Sequence, residues 1–267
     1  MADRSPRARW HGHATVAITD GGTTILTDPV LTDRVAHLRR RRGPSPLAAS
    51  DALTTAGGAS GQVTGPLRPD AVVLSHLHAD HTHLPSLRLI DRDVPILVPT
   101  GAVGQVAGLR AFGDRLIEVS PGDEVRIGGV LVRGVPAEHD GRRWPRGPHR
   151  VRALGYVIEG EGRTYFAGDT ALFGSMSDWI PGCDLALIPV GGWGPSLGPG
   201  HLDPAAAVLA AAAVGARTAI PVHFGTLWPM GFDSVRPERF YGPGAEFVRR
   251  MLEAGLDARE LRPGEST

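Results

Sequence analysis

Residues 75–81 read Ser-His-Leu-His-Ala-Asp-His, and this stretch decides both the fold and the chemistry that we predict. It contains four potential metal ligands, although imidazole and carboxylate groups are costly to crowd together unless something pairs with them. Histidines two apart in an extended segment point to the same side, so His76 and His78 can bind one ion. Where the chain then turns toward a helix, we expect a second ion to be reached by Asp80 and His81.

Short apolar or alternating runs, each closed by glycine, proline or aspartate, predict strands on both sides of this stretch. The predicted strands are residues 14–19, 23–27, 71–74, 95–98, 115–119, 124–135, 155–159, 164–167, 184–190 and 218–222. A turn at Gly128-Gly129 interrupts the longest of them. The strand 71–74 runs directly into the histidine-rich stretch, which places that stretch at the end of a buried strand.

Helices are predicted between the strands, at residues 84–90, 102–111, 205–214 and 244–254. Asp203 followed by Pro204 is a typical helix start, and Gly215 and Gly255 are typical helix ends. Strands with helices interspersed, in two similar halves, indicate an α/β (α+β) protein in which two sheets pack together under outer helices. We expect one domain over residues 1–267.

Residues 39–69 break this pattern, because they are rich in proline, alanine, glycine and serine and begin with four arginines. The strand pattern resumes directly afterwards, so a long surface loop is expected rather than a linker. A solvated loop is one interpretation. The other is a lid whose arginines meet an anionic group of the substrate.

The pattern His-x-His-x-Asp-His after a buried strand resembles the signature of the metallo-β-lactamase superfamily. The resemblance implies an αββα sandwich of two mixed sheets, with two metal ions at the mouth between them. It also implies three further ligands, each expected just after a predicted strand. They are His139 in Ala-Glu-His, Asp169 in Gly-Asp-Thr, and His223 in Pro-Val-His.

Three further sequence segments narrow the resemblance to one subgroup of this superfamily. They are Trp-His-Gly-His-Ala-Thr at 10–15, Leu-Thr-Asp-Pro-Val at 26–30 and His-Leu-Asp-Pro at 201–204. They are similar to N-acyl phosphatidylethanolamine phospholipase D-like and ascorbate-6-phosphate lactonase-like proteins. The resemblance places His201 near the substrate, as a substrate-binding or acid residue, although a structural role before a helix cap is equally open. It also places His13 and Asp28 near the site.

Some positions depart from the family pattern or carry no family role. His83 stands where many relatives have aspartate, which puts the surroundings of the ligands in doubt but not the ligands themselves. Trp193 and Trp228 could line a pocket, but packing in the core or at the rim explains a tryptophan at least as often. We assign no role to His37 or His149, which we expect to be exposed.

The resemblance implies metal-assisted hydrolysis. Two ions bridged by Asp169 lower the pKa of a shared water from about 16 toward 7, and the resulting hydroxide attacks phosphorus or a carbonyl carbon. Asp80 both binds metal and orients the hydroxide, and His201 is the candidate proton donor. Nitrogen and carboxylate ligands without thiolate suit Zn²⁺ first and Mn²⁺ second, and iron also fits.

Composition restricts the class of partner. Twenty-eight basic and 28 acidic residues give a formal net charge of zero, which argues against nucleic acid as a partner. No apolar run is long enough for a transmembrane segment, and no signal peptide is recognised. A single cysteine, Cys183, excludes an intrachain disulfide. We therefore expect a cytoplasmic enzyme acting on a small molecule.

Several alternatives stay open at this level. The substrate could be a phosphodiester, a phosphorylated lactone or a simple ester, and the arginines at 39–42 tilt the choice toward a phosphate-bearing molecule. A non-haem di-iron redox protein or an iron-dependent sulfur oxygenase would use similar ligand spacings on the same fold. A non-catalytic binding protein and a nuclease are less favoured. Relatives often form homo-oligomers, and the oligomeric state here is not fixed by the sequence.

Overall fold

The fold is seen in a computed structural model, which describes residues 5–43, 67–143 and 151–267. The strands are β1 (Arg7–Gly12), β2 (Thr15–Asp20), β3 (Thr23–Thr27), β4 (Arg34–Val35), β5 (Leu38–Arg40), β6 (Ala71–Val73), β7 (Ile96–Pro99), β8 (Leu116–Val119), β9 (Glu124–Ile127), β10 (Val130–Asp140), β11 (Arg152–Glu159), β12 (Arg163–Phe166), β13 (Cys183–Pro189), β14 (Ala216–Val222) and β15 (Leu227–Pro229). The helices are α1 (Leu84–Leu87), α2 (Ala102–Gln105), α3 (Met176–Trp179), α4 (Pro204–Ala213), α5 (Glu238–Tyr241) and α6 (Pro243–Glu253), with a 3₁₀ segment at Ala107–Arg115.

Within these residues the strands form two six-stranded sheets and one small sheet. The first sheet has the order β1-β2-β3-β6-β7-β8 and the second the order β14-β13-β12-β11-β10-β9. Each sheet is mixed. The strands that come first in the chain pair antiparallel, and the later ones pair parallel. The prediction of two sheets under outer helices is therefore confirmed.

The period-2 alternation of strand residues explains how the sheets are stacked. On the first sheet, Val73 and Leu97 face the core between the sheets, whereas Val72 and Ile96 belong to a second buried cluster with the Leu87 side chain of α1. The second sheet is covered by α4, whose Ala207 and Ala210 are buried in the main core. Small side chains let this helix lie close to the strands beneath it.

Most predicted elements are present with shifted ends, and the exceptions have physical reasons. The predicted helix 102–111 is broken, because Val106 is extended and a 3₁₀ segment follows. The predicted turn at Gly128-Gly129 separates β9 from β10, but β10 continues to Asp140. His139 therefore lies within β10 and not after it, which corrects the prediction.

The arginines that open the predicted 39–69 loop are not all in a loop. Arg39 and Arg40 belong to β5, which pairs with β15. Arg40 is buried, and its guanidinium donates to the carbonyls of His11 (3.2 Å) and Val30 (2.8 Å). It is a structural residue rather than a lid residue awaiting an anion. The rest of that prediction, for residues 44–66, lies outside the described residues, as does the prediction for His149.

Candidate metal centre

The histidine-rich stretch leaves β6 as a tightly tied loop rather than a regular element. The backbone N–H groups of His81 and Thr82 both donate to the carbonyl of His78, and the Thr82 hydroxyl donates to the carbonyl of His76 at 2.7 Å. From outside, the Arg143 guanidinium donates to the carbonyls of Leu77 (3.1 Å) and Thr82 (2.8 Å). These bonds fix the loop so that its ligand side chains point inward.

The first group of converging side chains contains His76, His78 and His139. Nδ1 of His78 lies 2.9 Å from Nε2 of His76 and 3.2 Å from Nε2 of His139. Ligands about 2.05 Å from a tetrahedral Zn²⁺ would be about 3.3 Å apart, so this spacing suits one ion. Strand β10 supplies His139 from 61 residues away in the sequence.

The second group lies beside the first and contains Asp80, His81 and His223. The Nε2 atoms of His81 and His223 are 3.1 Å apart, and Oδ2 of Asp80 lies 3.5 Å from the first and 3.7 Å from the second. His223 follows β14 with a φ of 61°, an unusual conformation for a residue other than glycine. Such strain is typical of functional positions.

Asp169 lies between the two groups. Its Oδ2 is 3.3 Å from Nε2 of His81 and 3.9 Å from Nε2 of His139, while its Oδ1 is 3.3 Å from Nε2 of His223. Oδ1 is buried and has no hydrogen-bond partner. Oδ2 therefore lies between the two groups and Oδ1 lies beside the second, and an orphaned buried oxygen calls for a cation.

The protons on the imidazoles point away from the cluster. Nδ1 of His81 donates to the Asp28 carboxylate (2.7 Å), Nδ1 of His139 to the Gly200 carbonyl (2.7 Å), and Nδ1 of His223 to the Gly191 carbonyl (3.0 Å). These outward bonds leave the Nε2 atoms of the three rings facing the cluster, and bonds of this kind are typical of metal-binding histidines.

The pKa values of the histidines also favour metal binding at this site. Burial lowers the pKa of His76 well below its ordinary value and that of His78 to about 4, so both rings are neutral at pH 7, as metal ligands must be. Burial would also lower the pKa of His81, but the surrounding carboxylates, led by Asp169 and Asp80, raise it well above the ordinary value. The carboxylates thus stabilise positive charge at the place where an ion would lie.

The other residues predicted near the site lie at its edge or directly behind it. Nε2 of His201 is 3.4 Å from Oδ2 of Asp169, and its side chain is 20% exposed. Asp28 is buried and accepts the His81 proton, as a supporting residue would. His13 is buried and contacts Asp80. His83 bonds to Ser86 at 2.7 Å and not to a member of the cluster.

The two tryptophans differ in their surroundings. Trp228 is buried and donates from Nε1 to the carbonyl of Phe232, so it packs rather than lining the centre. Trp193 is exposed and packs edge-on against His37, with the ring centroids 5.1 Å apart. Ser75 and Arg143 were missed by sequence reasoning. Ser75 accepts a bond from His76 and is held by Asp28, and no local pattern signals either role.

The sequence and the fold of this chain are similar to those of known proteins. A family model described as "Beta-lactamase superfamily domain" matches residues 23–224. The chain is 31% identical over 275 residues to a UPF0173 metal-dependent hydrolase of Nitratidesulfovibrio vulgaris, covering 97% of this chain and 94% of that protein. It is similar in structure to Igni18, a metallo hydrolase from Ignicoccus hospitalis, with a TM-score of 0.68 and 20% identity over 98% of this chain and 97% of that one.

A second solved structure with a similar fold belongs to a protein that is named for a different activity. CmlA, a diiron beta-hydroxylase from Streptomyces venezuelae, matches with a TM-score of 0.65 and 19% identity, over all of this chain (100%) and 54% of that one. Likeness at these identities shows the fold alone. No described helix has the length and apolar character needed to cross a bilayer. Because the matching family model spans most of its length, the chain belongs to the beta-lactamase superfamily.

Proposed function

We propose that this protein is a metal-dependent hydrolase that holds two divalent ions. The observation that carries the proposal is the position of Asp169, whose Oδ2 lies 3.9 Å from Nε2 of His139 in the first ligand group and whose Oδ1 lies 3.3 Å from Nε2 of His223 in the second. One ion is assigned to the first group and the other to the second, with Asp169 between them. The proposed ligands are His76, His78, His139, Asp80, His81, His223 and Asp169.

Bound divalent ions supply Lewis acidity and lower the pKa of water toward neutrality, so that no serine or cysteine nucleophile is needed. Nitrogen and carboxylate donors without thiolate suit Zn²⁺ first and Mn²⁺ second. The chain's own contribution is to orient these groups and to move a proton. Asp80 belongs to the second group and is also proposed to orient the attacking water.

His201 is the proposed proton donor. Its Nδ1 donates to the carbonyl of Gly198 at 3.1 Å, so its Nε2 faces Asp169 and the cluster. Burial opposes protonation of this ring, but the hydrogen bond and charge of Asp169 raise its pKa above the ordinary value. A histidine that is partly exposed and able to carry a proton is suited to protonating a leaving oxygen.

The neighbouring cavity favours an anionic substrate. A space of about 900 Å³ adjoins His139 and Gly200, and its walls include Arg142 and Arg152. Arg142 is held by the carboxylate of Asp140, whereas Arg152 forms no ion pair among the described residues. We assign Arg152 to a phosphate of the substrate, which favours a phosphodiester or phosphorylated lactone and agrees with the predicted phospholipase D-like or lactonase-like subgroup.

Replacing Arg152 with alanine is expected to raise KM about tenfold for a phosphorylated ester, with kcat little changed. A hydrogen bond to a charged group contributes about 1.5–3 kcal/mol, and Arg152 is placed to bind the substrate rather than to act on it. The measurement is steady-state kinetics of the Zn²⁺- or Mn²⁺-loaded enzyme on phosphodiesters, phosphorylated lactones and uncharged esters.

The matched control is Arg126→Ala, which removes an exposed arginine of β9 that does not line the cavity. It should leave both kinetic constants unchanged. If Arg152→Ala weakens binding of uncharged esters equally, the phosphate assignment is wrong. If none of the three substrate classes is hydrolysed by metal-loaded enzyme, the proposal of a hydrolase acting on them is wrong.

The second candidate is a non-haem di-iron redox protein or sulfur oxygenase. It rests on the structural similarity to CmlA and on a ligand set that iron also accepts. Iron as the dominant metal after purification without chelator, with no gain of hydrolysis when Zn²⁺ or Mn²⁺ is supplied, would favour this candidate over the hydrolase.

A further inference from the structure

His13 lies in the turn between β1 and β2 and reaches into the second ligand group. Its side chain is 1% exposed, and its Nε2 is 2.8 Å from Oδ2 of Asp80, 67 residues further along the chain. Its φ of 54° is in the left-handed region, which costs free energy for a residue other than glycine. A buried ring held in an unfavourable backbone conformation indicates that its position serves a purpose.

The backbone of His13 is fixed from three directions. Its N–H donates to the Thr226 hydroxyl at 2.9 Å, and its carbonyl accepts from the Trp10 indole at 2.8 Å and from the backbone N–H of His223. The ring also packs on the ring of His223, with centroids 4.1 Å apart. His13 therefore connects the start of the chain to two members of the second ligand group.

The hydrogen bond has a defined direction. The Asp80 carboxylate can only accept a hydrogen bond, so the proton in this contact is on Nε2 of His13. Nδ1 of His13 is buried and has no hydrogen-bond partner, so Asp80 is the one hydrogen-bond partner of the ring among the described residues.

We propose that His13 is a positioning residue: its Nε2–H fixes the rotamer of Asp80 and so sets the affinity of the second ligand group for its ion. The inference rests on the proposed metal centre. Without this bond the Asp80 side chain would be free to swing away from the Nε2 atoms of His81 and His223. His13 itself is not assigned as a ligand, because its nitrogen is already used by the carboxylate.

The test compares His13→Gln with His13→Asn. The amide nitrogen of glutamine reaches about as far as Nε2 of histidine, whereas that of asparagine stops about where Nδ1 lies. Both variants keep a polar amide, and asparagine tolerates positive φ better than most residues, so a weaker site in His13→Asn would not come from backbone strain. His83→Gln is the control, since His83 is also buried but bonds to Ser86 and not to a proposed ligand.

Metal-free protein is titrated with Zn²⁺ against a competing chelator, and Co²⁺ absorption spectra and thermal unfolding of the metal-free forms are recorded beside it. We expect wild type, His13→Gln and His83→Gln to bind two equivalents. In His13→Asn the second equivalent should bind about 10–100-fold more weakly, with an altered Co²⁺ spectrum. The unfolding temperatures identify any loss that is due to folding alone.

Equal affinities in His13→Gln and His13→Asn, whether at the wild-type level or at a weakened one, would overturn the role of His13. Failure of wild type to bind Zn²⁺ or Co²⁺ would instead overturn the proposed metal centre, and with it this inference. The two failures are therefore distinguishable, because the first occurs with a wild type that binds two ions.

Discussion

Replacing Asp169 with asparagine is expected to weaken the binding of both metal ions and to lower kcat/KM by about a thousandfold or more. Oδ2 of Asp169 lies 3.9 Å from Nε2 of His139 in the first group, and its Oδ1 lies 3.3 Å from Nε2 of His223 in the second. Asparagine keeps one oxygen and presents an NH₂ group in place of the other, and N–H groups cannot bind a cation. A thousandfold loss corresponds to about 4 kcal/mol, which is in the range expected for disrupted metal catalysis.

The measurement is Zn²⁺ stoichiometry and kinetics of Asp169→Asn beside Asp178→Asn. Asp178 is an exposed aspartate of α3, so its replacement should alter neither quantity. An Asp169→Asn protein that still bound two ions with wild-type affinity would show that Asp169 does not join the two groups. Loss of one ion only would assign Asp169 to a single group.

Replacing Gly168 with alanine is expected to lower the free energy of unfolding by about 3 kcal/mol and to weaken metal binding. Gly168 has a φ of 62°, and a Cβ there would lie 2.6 Å from Cβ of Ser75 and 2.9 Å from the carbonyl oxygen of Leu154. Backbone strain and overpacking each cost about 1–3 kcal/mol. Because Ser75 precedes His76 and Gly168 precedes Asp169, relief of the clash would move ligands of both groups.

The control is Gly104→Ala. A Cβ at Gly104 would have no atom within 4 Å, and its φ is not in the positive range, so alanine there should be neutral or slightly stabilising. Urea unfolding of the metal-free proteins separates the two variants. If Gly168→Ala unfolds at the wild-type urea concentration, the close approach of Gly168, in the turn after β12, to Ser75 is not as tight as described.

The layered fold and the side chains that gather at the centre could be predicted because they follow strong local patterns. Buried strands such as β6 and β14 read as apolar runs, and their ends carry the clustered His76 and the isolated His223. The isolated histidine alone would have indicated nothing. It became a candidate only through the family resemblance, and its metal-binding role stays a prediction.

What the sequence could not predict depends on contacts between distant residues. Strands β5 and β15 are three residues long, and the burial of Arg40 depends on the carbonyls of His11 and Val30. The bond between His13 and Asp80 spans 67 residues and leaves no periodic signal. The single-domain assignment, the cytoplasmic location and self-association stay predictions.

Metal content of wild-type protein purified without chelator tests the central claim most directly. Mass spectrometric analysis should give about two equivalents of Zn²⁺ or Mn²⁺ per chain, because Asp169 lies between two groups of imidazole and carboxylate ligands. Dialysis against a chelator should remove the metal, and added Zn²⁺ should restore it. A protein that carries no metal, and takes up none on reconstitution, would contradict the account of these residues as a metal centre.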